Sequence, residues 1–489
     1  MDVLASGWTR LTATVRRLFG VCGALARPVI GPKLTAVAWL TMKAAVRQRL
    51  FLAIAAALFL VVTGLPLALK GDGTAQGLTR ILITYTLGSI TVMMAVSTLW
   101  LSCGALAKDI DECHIQTLAV KPIARWQIWL GKFLGILSLN AILLVFAGGM
   151  VVAMIEKRAE ELSPEQQETL RNEVLVGRGV ATMPKIDYTP DIEATYKNIL
   201  ETEEGAKDIP EEDVKKMIAE QLRAEDELLP SGHSRVFNVN LARVRDTIEG
   251  LPVFLKFQFF AAKKDKNNVY FFDIVAGPAG STKSRARGME LPGNNVNTIP
   301  LPPDLLDEEG VMRIEIANLN ETDVLVPLDG GMEILYREYG FAGNFFRGMA
   351  IVFLWLTLLA AIGMSASSLL SFPVAAFFSM GVLIVGLSGG TLSATLEYGG
   401  TGEADHESGA VEEGLLDPIL LPLFKVLLQG IELVEGFSPI ESLSEGRSIT
   451  WGDLGKAFFQ IGILMSGFFG AIGMGILSRR ELATAQRSF

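Results

Sequence analysis

The chain has 489 residues, half of them apolar, with a mean hydropathy of +0.38 and a net charge of −10. This hydropathy is high for a soluble protein, and the apolar residues lie in blocks rather than being spread evenly. The composition therefore excludes an ordinary soluble protein. The negative charge gives no sign of the basic surface that a nucleic-acid partner requires.

Apolar runs of about 20 residues, each long enough to cross about 30 Å of hydrocarbon, predict transmembrane helices. Six such runs are present: residues 50–69, 81–106, 126–155, 345–370, 373–396 and 457–477. We therefore predict an α-helical polytopic membrane protein. Spans one to three lie in residues 50–155, spans four and five in 341–396, and span six in 451–489.

Basic residues are concentrated at the two ends of the chain. Residues 1–49 carry eight Lys and Arg against one acid, and Arg479, Arg480 and Arg487 follow the last run. By the positive-inside rule both termini face the cytoplasm, which agrees with an even number of spans in the inner (plasma) membrane. Residues 32–49 mix cations with apolar residues, which predicts an interfacial amphipathic helix in contact with membrane lipid. A continuation of the flank of the first span is the alternative.

A long insertion, residues 156–340, separates spans three and four and is extracytoplasmic on this topology. Its first part, residues 156–234, is acidic and predicts exposed helices, one of which starts at Ser163-Pro164. From residue 235 onwards apolar and polar residues alternate, which predicts a β-sandwich over residues 235–340. Cys22, Cys103 and Cys113 all lie elsewhere, so no disulfide framework supports this α+β domain.

A second extracytoplasmic segment, residues 397–450, carries eleven acids against Lys425 and Arg447. Within it, residues 415–434 are apolar but are interrupted by Pro418 and Pro422. A full crossing here would place the C-terminal arginines outside. We therefore predict an interfacial or re-entrant pair of half-helices.

The connector between spans two and three, residues 107–126, is short, polar and cytoplasmic on this topology. The connector and the residues just after it contain a characteristic series of acids, cations and turn or small residues. In chain order these are Asp109, Asp111 and Glu112, then Gln116-Thr117, then Lys121-Pro122, then Arg125, then Gly131-Lys132 followed by Gly135. A short helix with acids at its start suits the docking of a soluble subunit, and Arg125 and Lys132 would pair with those acids or reach lipid headgroups. An ordinary charged loop is the alternative.

This order of residues resembles the corresponding region of ABC type-2 transporter permeases, in particular those related to nitrous-oxide-reductase maturation and gliding-machinery exporters. Gln116-Thr117 stands where that family has Gly-Thr. The likeness extends loosely over the six-span frame but not over residues 156–339.

The resemblance implies a membrane-spanning permease subunit of an ATP-binding-cassette exporter, which couples ATP hydrolysis by a separate cytoplasmic ATPase to transport. The ATPase would contact the connector, and a second permease subunit would complete a homo- or heterodimer. The residues implied in this coupling are Asp109, Asp111, Glu112, Gln116, Thr117, Lys121, Pro122, Arg125 and Lys132.

The sequence has no phosphate-binding loop, no Ser-His-Asp or zincin pattern, and no two histidines with metal-ligand spacing. These absences predict no catalytic site or cofactor on this chain, and the resemblance implies a transport subunit rather than an enzyme, with ATP and Mg²⁺ on the partner ATPase. Two other hypotheses remain. One is an ABC membrane subunit that transmits force or a signal to an extracytoplasmic partner without transport, and the other is a membrane-anchored scaffold or sensor whose β-sandwich binds a ligand.

Overall fold

A computed structural model describes the following residues: 31–47, 50–68, 75–112, 123–160, 163–170, 175–184, 186–202, 211–248, 251, 253–261, 268–278, 284–302, 305–307, 309–328, 330–389, 392 and 417–480. The chain divides into two compact units. A helical unit comprises the described parts of Met1–Leu175, Ala342–Glu445 and Ile449–Phe489, and a β unit comprises those of Val176–Phe341 together with Gly446–Ser448.

The helices of the described residues are, in chain order, α1 Pro32–Arg47, α2 Leu50–Ala68, α3 Ala75–Asp111, α4 Arg125–Ala159, α5 Pro164–Thr169, α6 Thr189–Thr202, α7 Glu211–Glu227, α8 Arg245–Ile248, α9 Phe341–Leu369, α10 Phe372–Leu387, α11 Asp417–Glu435, α12 Pro439–Ser444 and α13 Trp451–Arg479. The middle of α13, Phe458–Met465, is π-helical. The strands are β1 Val176–Thr182, β2 Leu228–Leu229, β3 Ser234–Asn240, β4 Val253–Gln258, β5 Phe260–Ala261, β6 Val269–Gly277, β7 Ser284–Pro292, β8 Val296–Leu301, β9 Val311–Asn318, β10 Val324–Leu325 and β11 Met332–Gly340.

Four helices, α3, α4, α9 and α13, are long and apolar enough to cross a membrane. Their length and composition are those of a membrane protein. The other two apolar runs form shorter helices, α2 and α10.

Residues 415–434 differ from the expectation of two half-helices. The structure has one helix, α11, which continues through Pro422. Leucines on both sides of this proline favour helix and outweigh one missing backbone hydrogen bond.

The β unit contains two four-stranded antiparallel sheets, in the orders β1-β11-β4-β8 and β3-β9-β6-β7, and a small sheet β2-β10-β5. Three of these strands, β3, β4 and β9, coincide with stretches in which apolar and polar residues alternate. One hydrophobic core contains side chains from both larger sheets. In it Phe257 of β4 meets Phe272 of β6 edge to face, with ring centroids 5.3 Å apart.

Strand β1 lies in the segment 156–234 that was expected to be helical, and that part of the expectation is wrong. Its two glycines and its arginine hide the alternation on which strand prediction depends. Gly179 has a tertiary role, because the Tyr336 ring of the neighbouring strand occupies the space that a side chain at 179 would fill. At Ser163, in contrast, a helix starts as predicted: the hydroxyl accepts from the Gln166 amide, although α5 ends at Thr169.

Candidate functional site

The two ends of the connector lie within the described residues. Asp109 and Asp111 end α3, Glu112 follows them, and Arg125 begins α4. Gln116, Thr117, Lys121 and Pro122 lie outside the described residues. The candidate site is therefore defined here by how its two ends are held on the helical unit.

Asp109 and Asp111 do not start a new helix, which differs from the expectation. Helix α3 continues to Asp111, so Asp109 and Asp111 lie in its last turn. A negative charge is unfavourable there because the carbonyl end of a helix carries partial negative charge. A nearby cation must therefore compensate for Asp109, which is partly buried.

Lys132 of α4 supplies that cation. Its side chain is only 7% exposed, and its ammonium group forms an ion pair with the Asp109 carboxylate, so the predicted pairing of Lys132 with a connector acid is confirmed. The same group donates to the Ala105 carbonyl oxygen at 2.6 Å. One buried lysine thus fixes the last turns of α3 against the second turn of α4.

Arg125 contacts a different element from the one expected. Its Nη1 donates to the carbonyl oxygens of Ser478 and Arg480, each at 2.8 Å, and lies 3.4 Å from that of Leu477. These carbonyls end α13, where no intrahelical donor is available. Arg125 therefore caps the last apolar helix rather than pairing with the acids of the connector.

Two more cations lie at the same end of the helical unit. The guanidinium of Arg480 donates to the Ser368 carbonyl oxygen at 2.8 Å, in the last turn of α9. The Lys108 ammonium lies 4.7 Å from the centroid of the Phe372 ring, at the start of α10. The C-terminal ends of α3, α9 and α13 thus each receive a cation, which their dipoles favour. Sequence reasoning used Arg480 only for sidedness, although a basic residue directly after an apolar helix is also a capping signal.

The glycine pair Gly131 and Gly135 positions α1. A Cβ added to Gly131 would lie 2.7 Å from Cβ of Val37, and one added to Gly135 would lie 2.7 Å from the Ala38 carbonyl oxygen. The structure thus shows close packing of this pair within the bundle. Helix α1 is therefore held on α4 at two glycines that lie within one turn of Lys132.

A second glycine contact holds α13 on α4. Trp129 is buried, and its indole lies against Gly470 and Gly473, whose added Cβ atoms would be 3.3 Å and 2.9 Å from it. Next to it the Ser365 hydroxyl of α9 donates to the Phe469 carbonyl oxygen at 2.6 Å. The spacing of the glycines indicates close packing of α13 on another helix. It does not show that Trp129 and Ser365 are the partners, because these residues belong to other apolar runs.

Sequence reasoning also missed an ion cluster in the β unit. The Glu333 carboxylate of β11 is 3.1 Å from the ammonium of Lys256 and 3.2 Å from the guanidinium of Arg447. Both Glu333 and Lys256 are buried. Each of these two charges lies between apolar neighbours within the predicted β-sandwich, and the sequence gave no signal that they would lie inside.

The described residues contain no group of three or more His, Cys, Asp or Glu side chains that could hold a metal ion. Comparison of the chain with protein-family models, with curated proteins and with solved structures gave no match.

Proposed function

We propose that this chain is the membrane-spanning permease subunit of an ATP-binding-cassette exporter, and that a separate cytoplasmic ATPase docks on its connector. The observation that carries the proposal is the way the connector is anchored. Lys132 holds its first end through Asp109, and Arg125 holds its second end through the carbonyls of α13. A loop that only linked two spans would not need a cation bonded to a neighbouring helix at each end.

These anchors give the connector a mechanical role. Lys132 and Asp109 join it to α3 and α4, while Arg125 joins it to α13. A soluble motor that moves the connector therefore moves three apolar helices together. This is the action by which nucleotide-driven closure of an ATPase pair would change the membrane helices.

Two connector acids are exposed: Asp111 at the end of α3 and Glu112, which follows it. Asp109 is only partly exposed and pairs with Lys132. Charges at the rim of an interface set partner choice and association rate. We assign ATPase recognition to Asp111 and Glu112, and the support of the connector to Asp109, Lys132 and Arg125.

In this proposal α2 and α10 complete a frame of six spans, both termini are cytoplasmic, and the membrane is the plasma membrane. Helix α10 has 16 residues, which at 1.5 Å per residue is about 24 Å and short of the full hydrocarbon thickness. The β unit is an extracytoplasmic β-sandwich that receives cargo or contacts a protein partner. ATP and Mg²⁺ are bound by the ATPase, and a second permease subunit completes the transporter.

Co-purification tests the docking assignment. The double variant D111K/E112K should lose an ATPase that purifies with the wild-type chain from its own host. The matched control is E156K/E160K, which makes the same charge change at two other exposed acids. Glu156 lies near the C-terminal end of α4, and Glu160 directly follows that helix. Retention of the ATPase by D111K/E112K would contradict the docking assignment.

Labelling tests sidedness independently. Ala124 is exposed in the connector, so A124C, in a chain whose Cys22 and Cys113 are replaced by serine, offers a thiol to a membrane-impermeant reagent. We expect labelling in inside-out vesicles and none from the exterior of intact cells. Labelling from outside would overturn the topology and, with it, the proposed function.

A further inference from the structure

The tripeptide Gly446–Ser448 belongs to the β unit although helices of the other unit flank it in sequence. Its backbone extends the sheet at β1: the Arg178 amide donates to the Gly446 carbonyl oxygen at 2.8 Å, and the Ser448 amide donates to the Arg178 carbonyl oxygen at 2.7 Å. The Ser448 hydroxyl also donates to the Glu338 carboxylate of β11. Three hydrogen bonds therefore fix this tripeptide to two strands.

The side chain of Arg447 adds an ionic contact to this backbone pairing. Its guanidinium is 3.2 Å from the Glu333 carboxylate, which is 3% exposed and also pairs with Lys256. Ion pairs on a surface contribute little because water screens them, but a buried carboxylate depends on its partners. Arg447 is thus held more firmly than an ordinary loop arginine.

Only Ile449 and Thr450 separate this tripeptide from α13, and both are fixed. The Ile449 amide donates to the Asn344 side-chain oxygen at 2.7 Å. Thr450 caps α13: its hydroxyl accepts from the Asp453 amide at 3.1 Å, and the Asp453 carboxylate accepts from the Thr450 amide at 3.2 Å. This capping box fixes the first turn of α13.

At its other end α13 is held by Arg125, which lies at the second end of the connector. Two residues thus separate a tripeptide of the β unit from the start of α13, and the other end of this helix contacts a residue of the proposed ATPase site. Its π-helical middle, Phe458–Met465, is a place where one residue of helical register can be taken up.

We propose that α13 couples the β unit to the connector, with Arg447 and Arg125 as the positioning residues at its two ends. The meaning of this coupling for ATP hydrolysis rests on the proposed function. Cargo or a partner that disturbs the Glu333–Arg447 pair changes the position of the connector through α13. By thermodynamic reciprocity, ATPase binding at the connector changes the pairing of Gly446–Ser448 on β1.

Hydrogen exchange on the full chain in lipid nanodiscs, without any ATPase, tests this coupling. In R447Q we expect amides of residues 123–128 and 476–480 to exchange about fivefold faster, the lower end of the usual range for coupled sites. In R125Q we expect the reciprocal change at Arg178 and Gly446–Ser448. The matched control is R285Q in the same unit, because Arg285 is also an arginine paired with a carboxylate, at 3.8 Å from Asp273, but is more exposed.

The coupling would be overturned if R447Q keeps normal protection of β3 and β9 and its amides at residues 123–128 exchange at the wild-type rate. If R447Q loses protection throughout the β unit, S448A replaces it, since this change removes only the hydroxyl that bonds Glu338. An equal effect of R285Q would also overturn the proposal. Because no ATPase is present, a negative result here is distinct from loss of co-purification in D111K/E112K.

Discussion

Gly135 of α4 lies directly against the backbone of Ala38 in α1, so closely that a Cβ at 135 would be 2.7 Å from the Ala38 carbonyl oxygen and 2.9 Å from Cβ of Thr41. Backbone atoms cannot turn away as a flexible side chain can. G135A should therefore force α1 away from α4. We expect a loss of about 1–3 kcal/mol, the usual cost of overpacking a close contact, measured as a lower melting temperature in detergent.

Gly149 in the same helix provides the control, because nothing lies within 4 Å of a Cβ added there. G149A should stabilise α4 by up to about 1 kcal/mol through its better helix propensity. Equal melting temperatures of G135A and G149A would contradict the close approach of α1 to α4. Exchange protection of α1 should fall in G135A alone.

The pair of Asp109 and Lys132 predicts unequal effects of two neighbouring substitutions. D109N removes the charge partner of a buried ammonium, and we expect a loss of about 1–3 kcal/mol in the free energy of unfolding. D111N changes an exposed carboxylate in the same turn of α3 and should stay within about 0.5 kcal/mol of wild type. Chemical unfolding in detergent measures both. A larger effect of D111N than of D109N would contradict the arrangement.

The sequence predicted the elements of the site better than their contacts. Hydropathy located the apolar helices, and alternation located strands such as β4 and β9, because each of these signals comes from a single segment. The pairing of Lys132 with an acid could be predicted from the sequence because the two residues lie on helices that are adjacent in the chain. The contact of Arg125 with the end of α13 was not, because it joins residues more than 350 positions apart.

Burial of charge was the other property that the sequence did not show. Lys256 and Glu333 each lie between two apolar residues, as a solvent-facing residue of a half-exposed sheet would. Both are nevertheless buried, since they face each other across β4 and β11 and Arg447 joins them from a distant segment. Periodicity gives the face of a strand on which a residue lies but not what covers that face.

The Glu333 cluster predicts a strong effect within the β unit. E333Q leaves the Lys256 ammonium buried without its countercharge, and breaking one side of a buried pair costs roughly 3–5 kcal/mol. The double variant K256M/E333L removes both buried charges and should recover most of that loss. E290Q on β7 is the surface control. Thermal unfolding followed by circular dichroism compares the four proteins, and equal stability of E333Q and E290Q would contradict the burial of the cluster.

Tyr188 predicts a dependence of stability on alkaline pH. Burial, and then a hydrogen bond of 2.7 Å to the Asp226 carboxylate of α7, raise the pKa of Tyr188 to about 12. The folded state keeps the phenol proton above pH 10, where the unfolded chain loses it. The stabilisation is therefore complete below about pH 10 and is lost as pH rises through 12.

Difference spectroscopy at the tyrosinate absorbance band, comparing wild type with Y188F, isolates this one group among the seven tyrosines. The difference should titrate near pH 12. In D226N the acceptor carboxylate is gone, so the transition should move towards pH 10. A difference spectrum that titrates near pH 10 in the wild type would show that the hydrogen bond to Asp226 is absent in solution.

The packing of α13 predicts a contrast between two of its glycines. A Cβ added to Gly473 would lie 2.6 Å from the Ser365 hydroxyl oxygen, 2.9 Å from the Trp129 indole nitrogen and 3.0 Å from Cα of Ser365, whereas nothing lies within 4 Å of one added to Gly475. The hydroxyl can rotate, but the Cα atom and the buried ring cannot, so G473A must push α13 away from α9 and α4. We expect a cost of about 1–3 kcal/mol for G473A and a gain of up to about 1 kcal/mol for G475A.

The same displacement should reach Arg125, because the carbonyls that it caps follow Gly473 by little more than one helical turn. G473A is therefore expected to speed amide exchange at residues 123–128, and G475A is not. A destabilised G473A with unchanged exchange in those residues would show that α13 packs as described but does not hold the connector. That outcome would separate the packing of α13 on α9 and α4 from the capping of α13 by Arg125. The comparison of G473A with G475A therefore tests the contact of Arg125 with α13 without changing Arg125 itself.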